Sequence, residues 1–267
     1  MSAFLVMAHV IFWSFWTPIL FLGAPPRAFS AVGAILGLAL PAFLVTAALG
    51  GKPAVRDLLR RTLRWRVGVG WYPFALFAIP LGAVLVAPFV LGMAPLQALS
   101  REWSLLFTVF IPQLLLALVT VQLFEEVAWS GLVQHTLQSR YGAAKGTVLV
   151  GVAFATLHLP TYLSTPITGR QVLQVLATQV VLIIPFAILF RALVAWTYNG
   201  TGFSILLAAL LHASFNTAAK IVGPVVVDPA VAQILGLCVT ALLALAAALW
   251  SKGTLGYRRG SPAAGAS

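Results

Sequence analysis

The chain has 267 residues, is 61% hydrophobic and 8% charged, and carries a formal net charge of +11. Soluble domains average roughly a quarter charged residues, and a water-soluble body of this size could not hide so much apolar surface. Composition therefore excludes a soluble globular domain and makes the bilayer the solvent. Nucleic acid is not the expected partner of the positive charge, because Lys and Arg fall in short stretches between apolar runs and not along one soluble surface.

Eight apolar segments follow in order, at about 3–22, 29–50, 71–93, 104–124, 146–163, 172–196, 203–222 and 231–250. The expected fold class is all-α, a polytopic membrane protein of about eight transmembrane helices. No Lys or Arg precedes the first run, which suits a spanning helix better than a cleaved signal. The fourth segment lacks a proline through Gln138 and continues as helix to that point. Pro112 and Pro185 fall inside segments, where neighbouring helices can satisfy the freed carbonyls. Residues 1–252 read as one transmembrane domain with its motif-bearing core at 120–222, and 253–267 as a short disordered cytoplasmic tail.

The Lys and Arg count orients the bundle. One side holds twelve: Lys52, Arg56, Arg60, Arg61, Arg64 and Arg66, then Arg140 and Lys145, Arg191, and Lys252, Arg258 and Arg259. The other holds four: Arg27, Arg101, Arg170 and Lys220. The richer side is the expected cytoplasmic one, with both termini on it and the plasma membrane as the site. The stretch from Arg56 to Trp71 reads either as an amphipathic surface helix or as a solvated basic loop. Cys238 lies in an apolar run and reads as a small core residue.

Five residues are acidic, and three of them, Asp57, Glu102 and Asp228, fall in predicted loops. The other two, Glu125 and Glu126, are adjacent at membrane depth, where carboxylates are costly and usually functional. His158 lies in the fifth segment, and His212 and Asn216 share one face of the seventh. Counted from the cytoplasmic ends at about 1.5 Å per residue, Glu125, His158 and His212 lie roughly 14–20 Å deep and can form one site. A carboxylate and an imidazole can activate a water, and a second imidazole with an amide can hold an oxyanion. The same Glu125, His158 and His212 could instead bind a divalent metal such as zinc, although the helical zinc-protease spacing is absent. The plainer reading of each is a hydrogen-bonding knot between helices. His9 has no partner in sequence and His135 falls near the interface, so both read as structural.

Glu125-Glu126-x-x-Trp129-x-Gly131, Phe154-x-x-x-His158 and His212-x-x-x-Asn216 resemble the three motifs of the CPBP family, the CAAX-protease and bacteriocin-processing (Abi) intramembrane proteases. Leu137 to Gly142, His158-Leu159-Pro160 and Asn199 to Gly202 are similar to the family as well, and the resemblance covers about 120–216. It implies an intramembrane endopeptidase, of glutamate or metalloprotease type, with a polar cavity opening towards the cytoplasm. It implies Glu125 as general base, His158 as water ligand, His212 and Asn216 as oxyanion hole, and Glu126 as electrostatic support. Phe154 would pack beside the site, and Trp129 would pack or line the cavity entrance. The implied partners are a peptide or membrane-protein segment, lipidated in some members, and the bilayer.

One position departs from the family. Ser130 stands where the first motif usually carries an arginine that balances the second glutamate. An unpaired buried carboxylate neutralises, so Glu126 is expected uncharged unless Arg191, from another segment, reaches it. The rival readings are a non-catalytic CPBP-like scaffold, which Ser130 favours, and a proton-coupled transporter or relay, which intramembrane Glu and His also serve.

Overall fold

A computed structural model describes residues 1–226 and 228–258. Among these the chain is helical, without strands. Eight long elements match the eight apolar segments: α1 (Ser2–Leu22), α2 (Pro26–Thr62), α3 (Trp71–Leu91), α5 (Leu106–Tyr141), α6 (Ala143–Leu157), α7 (Gly169–Gly200), α8 (Ile205–Val226) and α9 (Pro229–Trp250). A short α4 (Ala94–Arg101) links α3 to α5. Six of the helices are long and apolar enough to cross a membrane. The protein is thus a polytopic integral membrane protein.

The organising element is α8, which packs against α3, α5, α7 and α9. Ala208, Ala209 and Ala213 are fully buried on it, and such small residues let neighbouring helices approach closely in lipid. The outer helix α9 contacts α3, α7 and α8 on one side only. Cys238 sits on its other side and is exposed, contrary to the core position expected of it.

Chain breaks fall where backbone groups find other partners. Pro112 and Pro185 each follow a π-helical turn, Leu106–Phe110 and Gln179–Ile183, so the widened backbone absorbs the missing donor. In α2 the bend is at Gly51, whose φ of 61° belongs to the left-handed region open to glycine. Beyond it the helix runs on to Thr62, carrying Asp57, which was expected in a loop. The basic stretch is neither a surface helix through Trp71 nor a loop: Leu58 and Arg61 are buried in the bundle, while Leu63 and Trp65 lie outside the helix and are exposed.

Helix α6 has only 15 residues, about 22 Å, short of the roughly 30 Å hydrocarbon core. It stops before Pro160, and the chain turns into a short 3-10 segment at Leu159–Tyr162. The helix was expected to run to about residue 163 with His158 embedded in it; His158 instead lies at its end, with φ −82° and ψ 0°. The early part of the tail is also ordered. Leu255 is buried, and its carbonyl accepts from Asn199 Nδ2 at 3.0 Å. Residues 259–267 of the expected disordered tail lie outside the described residues. Asn199 is itself buried, which removes Asn199-Gly200-Thr201 as a glycosylation acceptor.

Candidate active site

Helix α5 delivers both glutamates. A π-helical turn at Leu118–Gln122 precedes them and a longer one at Val127–Gln134 follows. Such turns recur at functional sites because they re-aim successive side chains. Glu125 and Glu126 therefore face different surroundings.

Glu126 is fully buried and fully engaged. Its Oε1 accepts from Arg191 Nη1 at 2.6 Å and from His212 Nδ1 at 2.9 Å. Its Oε2 accepts from the Ser130 hydroxyl, and Ser130 Oγ accepts from Arg191 Nη2 at 3.0 Å. Glu126 is thus paired by Arg191, the residue of another segment that the sequence left open as its partner. The motif arginine is missing from α5, but Arg191 of α7 reaches the same carboxylate, and the small Ser130 leaves room for it. Arg191 also leaves the count of cytoplasmic loop charges, since it is fully buried; twelve becomes eleven, against four.

Glu125 is different. It is 4% exposed and lines a cavity of about 570 Å³ together with His158 and Asn216. Its Oε2 is 3.7 Å from His212 Nε2, so His212 stands between the two carboxylates. His158 bonds through Nδ1 to the Phe154 carbonyl at 2.8 Å. A carbonyl only accepts, so Nδ1 carries a hydrogen and Nε2 is the ring nitrogen left for other partners. Phe154 separates the polar groups: its ring centroid is 4.5 Å from that of His158 and 5.8 Å from that of His212, and Arg191 lies over it at 5.5 Å. Trp129 is fully buried behind Phe154 at 5.6 Å and does not line the cavity, so it packs and does not form an entrance.

The cavity wall includes Phe12 and Trp16 of α1, the start of α2 at Pro26–Ala28, and Lys220. The basic-rich end is plugged. There Arg61 donates to the Gly131 carbonyl at 2.9 Å and to Tyr198 Oη at 2.6 Å, Tyr198 pairs with His135, and Gln134, Gln138 and Asn199 bond to one another.

Sequence reasoning missed three supports. His9 Nε2 pairs with Thr156 Oγ1 at 3.0 Å, and Trp13 Nε1 donates to the Leu157 carbonyl at 2.8 Å. Both brace the end of α6 beside His158, and only the third dimension reveals them. Gln122, 5% exposed, lines the cavity one turn before Glu125, and its Oε1 finds no protein partner. Its signal was a polar side chain three residues from Glu125 in an apolar run.

Residues 107–218 match the family model described as type II CAAX prenyl endopeptidase Rce1-like. Over this stretch the chain is similar to the CPBP, or CAAX-protease, family of intramembrane proteases. No curated protein matches the chain significantly. The match spans the glutamate pair, His158, Arg191, His212 and Asn216, and leaves α1 to α4 and α9 outside. A protease core of this kind sets a peptide or protein substrate in a lipid environment. Among the described residues, no group of three His, Cys, Asp or Glu stands close enough to hold a metal ion.

Proposed function

We propose that the chain is an intramembrane endopeptidase in which Glu125 activates the attacking water. One observation carries this reading: Glu125, His158 and Asn216 face a single cavity, with His212 within 3.7 Å of Glu125. A water between Glu125 and His158 Nε2 loses one proton to Glu125 and attacks the peptide carbonyl carbon. The carbonyl π electrons move to oxygen, and the oxyanion is held by the Asn216 amide and by His212 Nε2–H. Glu126 and Arg191 supply the frame. With Nδ1 held on the Glu126 carboxylate, His212 turns its Nε2 edge towards Glu125. The tetrahedral species then collapses, the C–N bond breaks, and Glu125 returns its proton to the departing amine.

Ser130 no longer favours an inert scaffold, because Arg191 provides the balancing charge that Ser130 does not. The excess of Lys and Arg at one end supports a plasma-membrane orientation with both termini cytoplasmic.

The test is cleavage of a mixed peptide library, with and without prenyl groups, by purified protein in nanodiscs. Wild type is expected to cleave, with Glu125→Gln and His158→Ala folded and silent. Full activity of well-folded Glu125→Gln would sink the mechanism. Cleavage is expected to survive a chelator; loss on chelation and recovery with zinc would assign Glu125, His158 and His212 to metal ligation instead.

A further inference from the structure

Beyond the bend at Gly51, the rest of α2 is a helix with three separate faces. One is buried in the bundle and carries Leu58, Arg61 and Thr62. The next carries Val55 and Leu59, and Leu59 is 45% exposed. The last carries Lys52, Arg56 and Arg60, spaced by four residues and all exposed. Lipid accounts for the apolar stripe, but the cations beside it are not balanced by the fold. Asp57, the acidic residue of this stretch, accepts from Arg60 at 2.7 Å and from Arg61 at 2.8 Å. Neither Lys52 nor Arg56 has an ion-pair partner among the described residues. Like charges at i, i+4 stand about 5–6 Å apart at Cβ and repel, so an anion between them would relieve a cost.

Two adjoining hollows meet at this pair. One, of about 230 Å³, is lined by Lys52, Pro53, Arg56, Asp57 and Arg60. The other, of about 440 Å³, is lined by Ala47, Gly51, Val55 and Leu59 with the same Lys52 and Arg56. The bend creates the second, because it sets Ala47 before Gly51 and Leu59 after it around one space. We infer that the joined hollows bind an anionic glycerophospholipid. Its phosphate sits between Lys52 and Arg56, and the start of an acyl chain lies along Ala47, Val55 and Leu59. Only a molecule with an anionic head joined to hydrocarbon covers both linings. A zwitterionic headgroup gains less, because its ammonium meets the same cations. The site lies outside residues 107–218, in the part of the chain that the family match does not reach. The same helix carries Arg61 to the Gly131 carbonyl and Tyr198, so a bound lipid also holds that contact in place and stabilises the folded protein.

The experiment counts lipids on the full-length protein in mild detergent micelles by native mass spectrometry. It titrates palmitoyl-oleoyl phosphatidylglycerol against phosphatidylcholine with the same chains. Wild type is expected to retain one phosphatidylglycerol at concentrations where phosphatidylcholine does not bind. A cation near a bilayer surface contributes about a factor of five, so Lys52→Gln/Arg56→Gln should weaken that first adduct about thirtyfold. Lys52→Arg/Arg56→Lys keeps both charges and should retain the lipid. Arg140→Gln/Lys145→Gln removes the same charge from another exposed stretch and should retain it too. Leu59→Gln should weaken the adduct through its apolar half. Phosphatidylglycerol should raise the melting temperature of wild type and leave that of Lys52→Gln/Arg56→Gln unmoved, with the two proteins melting alike in its absence. Equal weakening in Arg140→Gln/Lys145→Gln would reduce the effect to general surface charge and overturn the inference. So would equal retention of the two lipids by wild type. Displacement of the lipid by inorganic phosphate or glycerophosphoglycerol at comparable concentration would also overturn it, by making the hollow a site for a free anion.

Discussion

Helix α5 carries two buried polar clusters, and they are built to opposite plans. Towards its C-terminal end, Arg61, Gly131, Tyr198 and His135 close on one another, with Asp57 pairing Arg61 at 2.8 Å from the partly exposed side. None of these residues lines the cavity. About a turn and a half earlier, Glu126 is enclosed in the same manner, but Glu125 next to it keeps one side on the cavity with His158 and Asn216. Depth and polarity are common to both clusters. What distinguishes a site from a strut is free hydrogen-bonding capacity aimed at space that a substrate can enter.

The largest effect expected from this contrast is on Glu125. Glu125→Gln should lower turnover by about 10²–10⁴-fold, the usual worth of a general base, with little change in melting temperature. Tyr198→Phe, in the strut, should cost about 1 kcal/mol of stability and leave turnover per folded molecule intact. Parallel cleavage and thermal-melt measurements decide, and equal loss of turnover in the two variants would erase the distinction.

The frame around Glu126 should respond next. Arg191→Met leaves a buried carboxylate without its cation, a loss of about 3–5 kcal/mol for a broken buried pair. Adding Ser130→Arg restores the charge from α5 and should recover most of the melting temperature. Failure of that rescue would mean that Arg191 acts through its packing over Phe154 rather than through its charge.

A smaller effect is expected at the contact joining the clusters. A Cβ added at Gly131 would lie 2.7 Å from both Leu58 Cδ1 and Ile205 Cδ1, so Gly131→Ala should cost about 1–3 kcal/mol by overpacking. Turnover per folded molecule should fall only slightly, since the strain lies on the strut side. A large catalytic loss at preserved stability would show the two clusters to be coupled through α5.

Composition and periodicity alone established the solvent, the helix count and the residues to watch. Carboxylates and imidazoles stand out in apolar runs because lipid penalises them wherever they have no use. The resemblance of the motifs reached further, pointing to Glu125, His158, His212 and Asn216 as one candidate site before any geometry was known. It could not place the partner of Glu126, because pairing between α5 and α7 depends on how two helices distant in sequence pack. Arg191 looked like a helix-end charge by position and proved to be the counter-ion of the site. The same limit governed the cavity. A charge count ranks the two ends of a bundle by their loops, whereas the cavity forms among α1, α2, α5 and α8 around the end of short α6, and Arg61 and the glutamines fill the gap elsewhere. Local chemistry is written in the order of residues, but which polar groups are left unpaired beside open space is fixed only when the helices pack.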